Sequence, residues 1–169
     1  MDSLKLVKNL IKTKSVEKGQ ILKPGNLVIF KYNPKDTSVK YDRTPLCLVL
    51  RKSKSYTLGI NFHWCPIPMR KMLLNAIFRL NKKNIKENKP LDIDWYRIKP
   101  MLKKFGFFPI IRLYINSRIY RRAVKIPNEN MKQIIETKTE TFIGVSAEAL
   151  YKKALRDSKV SSLKHKAHK

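Results

Sequence analysis

Three apolar runs crowd into about forty residues with no helix-length stretch between them. After Pro24-Gly25, the β-branched and aromatic run Leu27 to Tyr32 stops at the turn signal Asn33-Pro34-Lys35-Asp36. Leu46 to Leu50 follows Pro45, and Tyr56 to Trp64 is set off from it by the polar Lys52-Ser53-Lys54-Ser55, which has the composition of a hairpin loop. So little intervening chain predicts a small curved antiparallel sheet, an SH3-like or partly open β-barrel, within residues 21–65.

The remainder reads as mainly helical. Met69, Met72, Leu73, Ala76, Ile77 and Leu80 share one stripe at helical spacing, with Arg70, Lys71, Asn75 and Arg79 facing away and Pro66 and Pro68 suited to the first turn. Asn81 to Pro90 is predicted as a loop. Leu91 to Ile98 and Met101 to Phe105 are short helices that Pro100 bends or separates and Gly106 closes. Phe105, Phe107, Phe108 and Tyr114 are expected to bury against the Met69 to Leu80 helix. Two assignments fit the next stretch: a strand over Tyr120 to Ile126 returning to the sheet, or a helix through Ile110 to Arg122. Pro127 opens a helix through Ile134 and Ile135, and Ser146 with Glu148 opens a last one that continues before Asp157. The fold class is therefore α+β, with one domain over residues 21–157, β-rich at 21–65 and helical at 66–157. A basic amphipathic helix or arm, residues 1–20, precedes it, with Leu4, Val7, Leu10 and Ile11 on one face, and a basic flexible tail, residues 158–169, follows.

Charge decides the partner. Lysine and arginine number 38 against 12 acids, a formal net charge of +26 on 169 residues. Self-repulsion on that scale opposes compaction unless a polyanion offsets it, and nucleic acid does so through counterion release without any base reading. Basic residues occur throughout the chain, so the folded body itself is basic. No run approaches the roughly 18–20 apolar residues of a membrane span. Cys47 and Cys65 are too few for a disulfide framework and sit among apolar neighbours, which suits packed, reduced thiols.

Catalytic constellations are weak. His63, Cys65 and Cys47 suggest a zinc site but fall short of four ligands, because His165 and His168 lie in the tail. Asp92 and Asp94 beside Trp95 could begin a metal-dependent nuclease cluster, yet alternate acids before a helix are more economically caps. No nucleophile elbow or phosphate-binding glycine loop appears, and five glycines argue against a nucleotide cofactor. The reading is a binder, not an enzyme, with no cofactor and no metal. Arginines beside flat rings are the more informative pattern: Arg112, Tyr114, Arg118, Tyr120, Arg121 and Arg122, with Lys103 and Lys104 upstream, form the candidate nucleic-acid contact. Without a recognition-helix or zinc-finger signature, contact with the backbone of double-stranded DNA is expected, independent of sequence.

The segments Pro24-Gly25-Asn26-Leu27-Val28-Ile29-Phe30-Lys31-Tyr32-Asn33-Pro34-Lys35, Tyr41-Asp42-Arg43-Thr44-Pro45-Leu46-Cys47-Leu48-Val49-Leu50 and Leu58-Gly59-Ile60-Asn61-Phe62-His63-Trp64-Cys65-Pro66 resemble small virion proteins of large tailed bacteriophages, the DNA end protectors among them. That resemblance implies a virion protein assembled in the bacterial host cytoplasm, in contact with packaged DNA or with portal or neck components. Gly25-x-Leu27-Val28 with Arg43-x-Pro45-Leu46 is also similar to the opening of PemK/MazF-type toxins, which share a small barrel. Two other roles fit the same composition: a structural assembly protein docked on an acidic neighbour, and a basic RNA-associated protein.

Overall fold

The computed structural model describes residues 16–17, 21–36, 42–104, 106, 110–137, 142 and 144–167, with the backbone alone for residues 16–17, 121–122 and 158–167. The expected N-terminal helix, Phe105, Phe107, Phe108 and His168 lie outside them. Among the described residues, six antiparallel strands form one open sheet in the order β1-β6-β2-β3-β4-β5. The strands are β1 (Val16–Glu17), β2 (Leu27–Tyr32), β3 (Leu46–Lys52), β4 (Tyr56–Asn61), β5 (Ile111–Ile115) and β6 (Ile119–Lys125). The class is α+β and the sheet is not a closed barrel.

The three early strands fall where the apolar runs place them, but the sheet is not confined to residues 21–65. The second half contributes β5 and β6, so strand rather than helix is the correct assignment over Ile110 to Arg122. β6 lies between β1 and β2, pairing Phe30 with Ala123 and Val28 with Lys125. β5 pairs with β4, Thr57 opposite Tyr114. β5 and β6 stand on opposite sides of the strand order, yet only Asn116–Arg118, a 3₁₀ turn, joins them. Three residues span at most about 11 Å. The sheet therefore curls until its two sides nearly meet at that turn.

Period-two alternation builds two cores. Leu27 and Ile29, with Leu46, Leu48 and Leu50, point to one face and join the helices. Val28, Phe30, Tyr32, Cys47, Val49 and Tyr114 fill the other. Tyr114 thus buries on the sheet face away from the helical layer, edge-on to Phe30 and Tyr32 at ring separations of 5.1 and 5.0 Å, and not against the Met69 to Leu80 helix. Gly59 on β4 is needed for close approach: a Cβ there would stand 2.2 Å from the Cys47 sulfur.

The helices are α1 (Ile67–Leu80), α2 (Lys82–Lys86), α3 (Trp95–Lys104), α4 (Met131–Ile135) and α5 (Ala147–Ala167). On α1 the buried residues are Arg70, Leu73, Leu74 and Ile77, while Met72 and Leu80 are about half exposed, so the inward stripe is rotated from the expected one. Arg70 turns inward because it serves carbonyls at both ends of the packing. Its Nε donates to Cys65 O at 2.8 Å and its guanidinium NH₂ group to Thr137 O at 3.4 Å.

The expected loop from Asn81 contains α2. α3 runs unbroken through Pro100, since Ile98 before it and Leu102 after it bury on the same side and hold the helix across the lost hydrogen bond. Residues before it are not helical: Asp94 Oδ1 accepts the Tyr96 N–H at 2.9 Å and caps the start. The Ser146 hydroxyl likewise caps α5, accepting from Ala149 N–H at 3.2 Å. α5 continues to Ala167, so the stretch read as a flexible tail is helical over most of its length.

Candidate nucleic-acid interface

The two sides of the curled sheet meet at Asn116. Its N–H donates to Ser55 O at 2.8 Å, and its side-chain amide donates to Ser53 O at 2.9 Å and Lys54 O at 3.0 Å. Its Oδ1 accepts from the Thr57 hydroxyl at 2.7 Å. One asparagine therefore fastens the β5–β6 turn to the β3–β4 hairpin. The hairpin is closed on itself as well, with Ser53 N–H donating to Tyr56 O at 2.8 Å and Tyr56 N–H to the Ser53 hydroxyl at 3.0 Å.

Cations ride on this frame. Arg51, Lys52 and Lys54 are exposed on the hairpin, and Arg118 is exposed at the end of the turn, two residues from Asn116. The Asn33 N–H donates to Arg118 O at 3.0 Å, which brings the end of β2, with exposed Lys31 and Lys35, to the same place. Asn33, Ser117, Arg118, Ile119 and Tyr120 line a shallow depression there, and the Tyr120 ring is 57% exposed. An accessible ring beside a guanidinium, among lysines, can contact phosphate and stack on an exposed base.

This frame gathers only part of the cluster read from sequence. Arg118 and Tyr120 come together. Tyr114 is fully buried, and burial first, then Cys47 and Asp42 nearby, push its phenol well above the ordinary range, so its ring cannot meet a surface ligand. Arg112 sits over Trp64, its guanidinium carbon 3.2 Å from the ring centroid. Lys103 and Lys104 are exposed on another element, the last turn of α3, where they complement the helix dipole. Arg121 and Arg122 lie on β6, with Arg122 in register with Glu17 of β1. The hairpin cations were the residues sequence reading passed over. Their signal was present in the charged loop, but nothing local tied it to Arg118.

The residues weighed as zinc ligands have separate places. His63 Nδ1 meets Asp42 Oδ2, both fully buried. Cys65 donates to Phe62 O at 3.3 Å in the helix-side core, and Cys47 lies on the opposite face. Burial pushes the Cys65 thiol up to about 12, partly offset by Arg70, and raises Cys47 further. Asp94 is a cap, and Asp92 lends its backbone N–H and carbonyl to the Asn81 amide. Among the described residues no three His, Cys, Asp or Glu side chains converge as metal ligands, and no helix is long and apolar enough to cross a membrane.

Fold and site define a basic α+β protein with an open, curled antiparallel sheet and a cationic face where its sides meet. The sequence profile of the phage T4 terminal DNA protecting protein family matches residues 3–156. The chain belongs to that family, a family of phage DNA end protectors, as its strand motifs suggested. No curated protein and no solved structure matches it.

Proposed function

We propose that this protein seats the end of a double-stranded DNA on the face formed by the β3–β4 hairpin, the Asn116–Arg118 turn and the end of β2, and shields that end without catalysis. The observation that carries the reading is the Asn116 clamp. It holds the backbones of Lys54 and Arg118, from segments 64 residues apart in sequence, in one frame. Cations carried on a fixed backbone meet a phosphate backbone at the ordering cost of their side chains alone. Backbone contact of this kind is indifferent to sequence, as protection of any terminus requires. The protein acts inside the virion, beside the packaged DNA and next to portal or neck components.

Charge removal tests it. Lys35→Gln, Lys54→Gln and Arg118→Gln together should weaken duplex binding and make the log–log salt slope shallower by about 2–3, since each lost phosphate contact removes about 0.9. Thermal stability should hardly move, because exposed charges contribute little to folding. An unchanged slope would remove these residues from the DNA contact. Unchanged DNA binding with loss of particle incorporation would assign the face to a protein neighbour instead.

A further inference from the structure

A second basic site lies on the helical layer. Asn75, Phe78 and Arg79 of α1, Lys82 and Ile85 of α2, and Lys132 of α4 line a groove of about 390 Å³. Its floor is apolar, formed by the partly buried Phe78 and Ile85, and its rim carries three cations. Lys132 Nζ stands 5.8 Å from the Phe78 ring centroid.

Three surface acids are paired away from the groove: Glu136 with Lys71, Glu87 with Lys89 and Glu148 with Lys152. Among the described residues Arg79, Lys82 and Lys132 have no carboxylate partner. Three like charges around one depression repel unless an anion sits among them.

We propose that this groove binds an unpaired nucleotide at a DNA terminus, its base on Phe78 and its phosphates between Arg79, Lys82 and Lys132. Chemistry selects that ligand, and the volume is on the scale of the roughly 300–1,000 Å³ of small-molecule sites. A ring floor suits a base face, which an acidic peptide lacks, and the Asn75 amide can pair with a base edge. The proposal rests on the end-binding reading and deepens it, because an unpaired nucleotide is found at an end and not within a duplex.

The test compares the full chain on a blunt duplex and on the same duplex bearing a short single-stranded overhang. The overhang should bind about tenfold more tightly through added stacking. Phe78→Leu, which keeps the apolar floor, and the combined Arg79→Gln, Lys82→Gln, Lys132→Gln variant should each lose that preference and keep blunt-end affinity. The Lys35, Lys54 and Arg118 variant should weaken both substrates and keep their ratio. Equal affinity of the native chain for both duplexes, or a preference that survives Phe78→Leu, would overturn the site. Competition completes the test, with a poly-thymidine oligonucleotide expected to displace the overhang better than a poly-glutamate peptide of equal charge. The reverse order would give the groove to an acidic protein and overturn the proposal. If blunt duplexes fail to bind while the oligonucleotide still binds and is lost in the groove variants, the groove stands and the duplex face is wrong.

Discussion

Gly25→Ala is expected to destabilise the protein by at least about 3 kcal/mol, lowering the melting temperature by roughly 6–12 °C for a chain of this size. Gly25 has φ +84°, and a Cβ there would stand 1.9 Å from Leu91 O. The contact is with backbone, so no rotamer change relieves it. Gly25 N–H donates to Val49 O at 2.8 Å and Gly25 O accepts from Leu91 N–H at 2.9 Å, so a shift would break the tie between the sheet and the segment leading to α3. Gly144 is the control: its φ is +70° but no described residue lies within 4 Å of an added Cβ. Alanine there should cost only the left-handed backbone term, about 1–2 kcal/mol. Denaturant melts of the two variants check the difference, and equal losses would show that the Leu91 contact is not the cause.

Asp42→Ala should cost about 3 kcal/mol, because it leaves the buried His63 Nδ1 and the Thr44 N–H without their partner. Asp42 and His63 are both fully buried, and Asp42 Oδ1 also accepts the Thr44 N–H at 3.0 Å. Asn61 Oδ1 accepts the His63 N–H at 2.9 Å and steadies the His63 backbone, and the Asp42–His63 contact fastens the segment entering β3 to the Leu-Gly-Ile-Asn-Phe-His segment. Apolar replacement of both partners, Asp42→Leu with His63→Phe, should recover most of the loss, because it leaves neither member of the pair buried without the other. Denaturant melts of the single and double variants decide it. A double variant no more stable than Asp42→Ala would mean that the pair does more than satisfy its own polar atoms.

How much was legible follows from the range of the signal. The alternation Leu27-Val28-Ile29-Phe30 and Leu46-Cys47-Leu48-Val49 is local, and it locates β2 and β3 correctly and divides their residues between two faces. The α1 stripe is local too, but its inward face depends on two carbonyls, Cys65 O and Thr137 O, that draw Arg70 in, and the second lies far along the chain. Hydrophobicity alone cannot show that. Tyr114 misled for a related reason, since an arginine-rich neighbourhood reads as surface while strand alternation sends every second side chain to the core. The cationic face was half visible. Arg118 and Tyr120 are two residues apart in sequence, whereas Lys54 joins them only through Asn116, a polar residue that in sequence merely ends an apolar run.

DNA ends, and not DNA length, are what the protein is expected to occupy. The most direct measurement takes equal masses of one DNA, either cut once or cut into many fragments, adds the full chain at moderate salt, and follows survival against a processive exonuclease. The protein needed for half-protection should rise in proportion to the number of ends, with closed circular DNA a poor competitor. A requirement that tracks total base pairs, with closed circles competing as well as linear fragments, would contradict it.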